Sequence, residues 1–158
     1  MHQATTAPTP LSAAGICAAW NRIADALSRL VSHGFLALGA RLALAAIFFL
    51  SARTKVEGFL TVSEGAYTLF REEYKVPLLP PEIAAHLATY AEHLLPLFLV
   101  LGLLTRLSAL GLLGMTAVIQ VFVYPDAWPT HLSWAMLALY LVGRGAGPAS
   151  LDRVAGIK

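Results

Sequence analysis

Apolar residues gather along this chain in four stretches, with the polar residues collected between them. The stretches cover about residues 31–51, 84–104, 106–124 and 128–143, the last being the shortest. A helix crossing about 30 Å of hydrocarbon needs roughly 17–25 such residues, so four membrane spans are expected. Leu104, Thr105 and Arg106 leave almost no connection between the second and third, which predicts a tight antiparallel hairpin. Ahead of the first span, Ile16, Trp20, Ile23, Leu27 and Leu30 recur at helical spacing, with Asn21, Arg22, Asp25, Ser28 and Arg29 mostly opposite. That pattern predicts an amphipathic helix over residues 12–30, opened by Ser12, after a disordered tail over residues 1–11. Its tryptophan and basic face suit a helix lying in the membrane interface, and packing on a partner or on the bundle is the alternative. Residues 52–83 are too long for a plain connector and mix Phe59, Tyr67, Phe70 and Tyr74 with charges. They predict a short helical insertion over the outer mouth of the spans, ended by Pro77, Pro80 and Pro81. The expected fold class is all-α, an integral membrane four-helix bundle over residues 31–143, with residues 144–158 as a cytoplasmic tail.

Composition agrees with that class. The chain is 58% hydrophobic and 13% charged, against about 25% charged in soluble domains. Its net charge of +2 and scattered basic residues argue against nucleic acid as a partner. A single cysteine, Cys17, excludes an internal disulfide, a CxxC redox motif and a cysteine-built metal site. Arg22, Arg29, Arg106, Arg144, Arg153 and Lys158 fall on one side of the spans, and Arg53, Lys55, Arg71 and Lys75 on the other. The positive-inside rule then predicts both termini in the cytoplasm.

The informative exceptions are charges inside the spans. Arg41 lies mid-way along the first and Glu92 near the middle of the second. Such residues cost at least about 2.5–3.5 kcal/mol on insertion and usually serve function or assembly. Counting inward puts the two at one depth on antiparallel neighbours, which predicts an Arg41–Glu92 pair at about even odds with other partners. Gly34, Ala37 and Ala45 share the Arg41 face, and Ala85 and Ala88 the Glu92 face, as close helix packing requires. Pro96 leaves the Glu92 carbonyl without its helical donor, which predicts a kinked or loosened span beside the acid. His86 and His93 are seven residues apart with Tyr90 between them. His131 is expected level with His86, so that the two, Tyr90, Lys55 and Trp134 would line one outer cavity. For each histidine singly, packing is the commoner meaning, and no metal site is expected. Gln120 and Thr116 read as interhelical glue.

Three stretches carry a family resemblance: ARLALAAIFFLSARTKVEGF, AEHLLPLFLVLGLLTRLSAL and HLSWAMLALYLVGRGAGPASLD. In order and spacing the chain resembles the DoxX family of small four-helix bacterial membrane proteins over about residues 35–152. Arg53 is a departure, standing where related sequences often have glycine. The resemblance implies a cytoplasmic (inner) membrane component of a redox or oxidative-stress system, with Arg41, Lys55 and Glu92 as its polar core. It implies at most the membrane subunit of an oxidoreductase complex. No cofactor is certain from these residues; the first reading is a quinone or similar lipophilic ligand between the helices, with Arg41 orienting or polarising its oxygen and Glu92 or His93 handling protons. Expected partners are the lipid bilayer and either a redox protein or a second copy of the chain. Two alternatives remain open: a non-catalytic scaffold that recruits partners, and a small transporter or proton pathway.

Overall fold

The computed structural model describes residues 13–157. The expected tail and the Ser12 cap lie outside them. Two compact units divide the chain at Ser32. The first is a single helix, α1 (Ala13–Leu30). The second holds everything from His33 onward.

That second unit begins with α2 (His33–Arg53), which is apolar except at its ends and at Arg41. A small antiparallel ribbon follows, in which β1 (Val56–Glu57) pairs with β2 (Thr61–Val62), with Val56 opposite Val62. Gly58 turns it with φ of +63°. Next come α3 (Glu64–Leu69) and a π-helical turn over Phe70–Tyr74. The insertion is therefore partly helical as expected, and the strand ribbon is an addition that two-residue strands are too short to announce.

α4 (Pro81–Leu101) starts with Pro81 in its first turn, where the fixed φ suits a helix and the missing N–H is not needed. It stays helical through Pro96 and ends at Gly102 in the left-handed region (φ +66°). Only glycine fits there. A Cβ at position 102 would lie 2.6 Å from the Ser150 Cβ and 2.8 Å from the Arg41 Cζ. α5 (Thr105–Val118) runs into a second π-helical turn over Ile119–Val123. A 3-10 turn (Pro125–Ala127), α6 (Trp128–Arg144) and the short α7 (Leu151–Val154) complete the chain.

The four long helices of this unit close on one another, α2 packing on α4 and α6, and α5 on the same two. Their core joins Leu44 and Phe48 of α2, Leu99 of α4, Leu112 of α5 and Leu141 of α6. Ala37, Ala40 and Ala45 of α2 and Ala85 of α4 are buried at the contacts, so the backbones approach closely. Outward, Leu42, Leu87, Leu94, Leu107 and Leu110 are exposed, an apolar coat suited to lipid. Among the described residues three helices are long and apolar enough to cross a membrane: His33–Arg53, Pro81–Leu101 and Thr105–Val123. At 17 residues α6 falls short of the length that defines those three.

Candidate functional site: an ion pair under an apolar cavity

Glu92 does not pair with Arg41. Its carboxylate accepts a 2.7 Å hydrogen bond and salt bridge from the Lys55 Nζ, and both side chains are 4% exposed. Lys55 also donates to the Ser51 hydroxyl at 2.8 Å, one turn earlier at the end of α2. Arg41 instead gives its guanidinium entirely to backbone carbonyls. Nε donates to Leu99 O at 2.6 Å and Nη2 to Val100 O at 2.7 Å, while Nη1 donates to Ala149 O at 2.7 Å and Ala146 O at 3.1 Å. The expected pair fails for a directional reason. Side chains on a helix lean toward its N-terminus, so on antiparallel helices Arg41 and Glu92 lean apart from a common depth. Arg41 thus reaches carbonyls in the last turn of α4, that of Leu99 also accepting from the Gly102 N–H, and Glu92 reaches the residues that follow α2.

The Arg41 end is a structural clamp. Asp152 completes it by accepting from the N–H groups of Leu104 (2.6 Å) and Thr105 (2.9 Å) at the start of α5. Leu104 sits at φ +47°, an unfavourable region for leucine that these bonds hold in place.

The Lys55–Glu92 end opens into a cavity of about 360 Å³. Its walls come from the end of α2, from α4 (Ala84, Ala88, Ala91), from α5 (Gly114, Met115, Val118), and from both π-helical turns (Phe70, Tyr74, Ile119, Val123). Leu79 (43% exposed), Leu87 (57% exposed) and Val118 (38% exposed) line it, so exposed apolar residues border its walls. No neighbouring atom lies within 4 Å of where a Gly114 Cβ would stand. Tyr74 brings a phenol to the wall. Burial first, and Tyr124 beside it, push its pKa above the ordinary range, so it stays protonated and able to donate. The arrangement is a greasy chamber with one charged pair and the hydroxyls of Ser51 and Tyr74, the composition of a site for a mostly apolar ligand with a polar head.

Of the seven candidate residues, this cavity takes Lys55 and Glu92. His93 packs against Phe49 edge-on (ring centroids 5.6 Å apart), donates Nδ1–H to Thr89 O at 2.8 Å, and keeps a buried Nε2 with no partner. His86 donates Nδ1–H to Glu82 O at 2.8 Å and accepts from the Tyr67 hydroxyl at 3.1 Å, with the Tyr90 ring tilted beside it. His131 is buried, bonded through Nδ1 to the Gln120 Oε1 at 2.7 Å and packed on Trp134. The residues of the expected shared chamber are not brought together: Lys55 lines the cavity above, His131 lines a separate one beside Gln120, and His86 turns to Tyr67. Gln120 does link to α6 as expected, through His131, whereas Thr116 turns back on its own helix and donates to Leu112 O at 2.8 Å. Sequence reasoning missed Ser51, whose signal was its spacing of four residues before Lys55. It also missed Tyr74 and Asp152, which carry no local signal for their roles. Among the described residues no group of three His, Cys, Asp or Glu side chains could hold a metal ion.

A family profile described as DoxX matches residues 36–125, more than half of the chain. The chain belongs to the DoxX family. The matched DoxX region includes Arg41, Lys55, Glu92 and every wall of the cavity. A protein of Haemophilus influenzae described as uncharacterized is 32% identical over 83 residues, covering 48% of this chain and 55% of that relative. The chain thus spans about half the length of this curated relative. No solved structure matches. With three helices fit to cross a bilayer, this DoxX chain is a multi-pass membrane protein in contact with lipid.

Proposed function

We propose that the protein is the membrane component of a redox or oxidative-stress system and holds a quinone or similar lipophilic ligand in the cavity over Lys55 and Glu92. The carrying observation is a buried ion pair in the wall of an apolar chamber bordered by exposed apolar residues. The Lys55 ammonium suits a ligand carbonyl oxygen, and Glu92 supplies a titratable group beside it for proton exchange. A ligand dissolved in the bilayer reaches such a chamber without crossing water. In this reading α6 is a fourth span, its length of about 26 Å extended by the 3-10 turn before it, and α1 lies in the interface. The membrane is the bacterial cytoplasmic one, with both termini in the cytoplasm.

The test is binding of a short-chain ubiquinone by the purified protein in detergent, followed by quenching of intrinsic fluorescence. Gly114→Leu fills the chamber without touching the ion pair and is expected to abolish saturable binding, while Leu139→Ala on the outer face of α6 leaves it intact. Equal binding by the Gly114→Leu variant, or none by the wild type, removes the proposal.

A further inference from the structure

At the opposite end from this cavity, the second unit carries a cleft of about 420 Å³ whose lining is cationic. Arg106 enters it from the first turn of α5, Arg144 from the last turn of α6, and Arg153 from α7. Three separate elements thus bring three guanidinium groups to one concavity. Among the described residues the ion pairs are Lys55–Glu92 and Arg71–Glu82, so none of the three is neutralised by a carboxylate. Asp152 also lines the cleft with its oxygens turned to the N–H groups of Leu104 and Thr105, and against its single negative charge the three guanidinium groups leave the lining net positive. The floor is glycine-built: a Cβ at Gly145 would stand 3.6 Å from the Arg106 Nε and Nη2, so the guanidinium lies directly over that backbone.

Guanidinium groups are planar forks suited to phosphate oxygens, and a concave cluster of them concentrates anions. Basic pockets between membrane helices are suited to phosphorylated lipid headgroups. We propose that this cleft is a phosphate-binding site, occupied either by the headgroup of an acidic phospholipid or by a free phosphate. The site shares no lining residue with the cavity over Lys55 and does not depend on what that cavity binds.

Native mass spectrometry of the full chain in mild detergent tests this with three probes: phosphatidylglycerol, phosphatidylcholine of the same acyl chains, and inorganic phosphate. A headgroup site retains phosphatidylglycerol about fivefold or more over phosphatidylcholine, the scale of about 1 kcal/mol per basic residue near a membrane surface. Arg106→Gln, Arg144→Gln and Arg153→Gln together bring that ratio to about one. Lys75→Gln removes an exposed charge at the other end of the unit and leaves the ratio unchanged. Binding of inorganic phosphate without lipid selectivity, lost in the same triple variant, assigns the site to free phosphate. Equal retention of the two lipids with no phosphate binding overturns the proposal, as does undiminished binding by the triple variant. The three arginines are exposed, so their replacement leaves the packed core alone.

Discussion

An ammonium and a carboxylate sealed from water stabilise one another only while both are present. Glu92→Gln leaves Lys55 charged in an apolar wall, and loss of one partner of such a pair costs about 3–5 kcal/mol. The variant is expected to unfold at a clearly lower mole fraction of sodium dodecyl sulfate. The double variant Lys55→Met with Glu92→Gln recovers most of the loss, since no orphan charge remains. At this scale the sequence was informative about which residues are buried and misleading about which ones meet. Arg41 and Glu92 stand out because apolar neighbours surround them. Lys55 does not, because it follows α2 among other charges and turns inward only through Ser51 and Glu92. Periodicity reports depth along a helix, whereas pairing depends on side-chain lean and on the elements beyond the helix ends.

Helices were the legible elements, and their irregular continuations were not. The apolar runs that read as the first three spans correspond to α2, α4 and α5 with its π-helical turn. Neither π-helical turn has a composition that separates it from an ordinary helix, yet both form cavity wall. The insertion is held to the start of α4 by a small core of Val62, Ala66, Phe70, Ala84 and Ala85. Ser63 caps α3, its hydroxyl accepting from the Ala66 N–H at 3.1 Å. Ser63→Ala removes about 1 kcal/mol of cap, so amide exchange across Glu64–Leu69 is expected to quicken about fivefold. Exchange in the middle of α5 is expected to stay as it was, and hydrogen–deuterium mass spectrometry resolves the two segments.

At the scale of the whole molecule, the orientation proposed above has a direct readout in Cys17, the single cysteine and an exposed one. A membrane-impermeant maleimide is expected to leave it unlabelled in intact spheroplasts and to label it after permeabilisation. Labelling of intact spheroplasts reverses the orientation. The Arg41 clamp carries a different kind of consequence, one of timing. Two of the carbonyls that satisfy Arg41 belong to Ala146 and Ala149, and the carboxylate that starts α5 belongs to Asp152. During synthesis Arg41 leaves the ribosome more than a hundred residues before these partners. Until then it is half-served, and the nascent chain is marked as unfinished by an unsatisfied charge at membrane depth. A chain stopped after Arg144 never receives them, and in pulse–chase labelling it is expected to be cleared several times faster than the full chain.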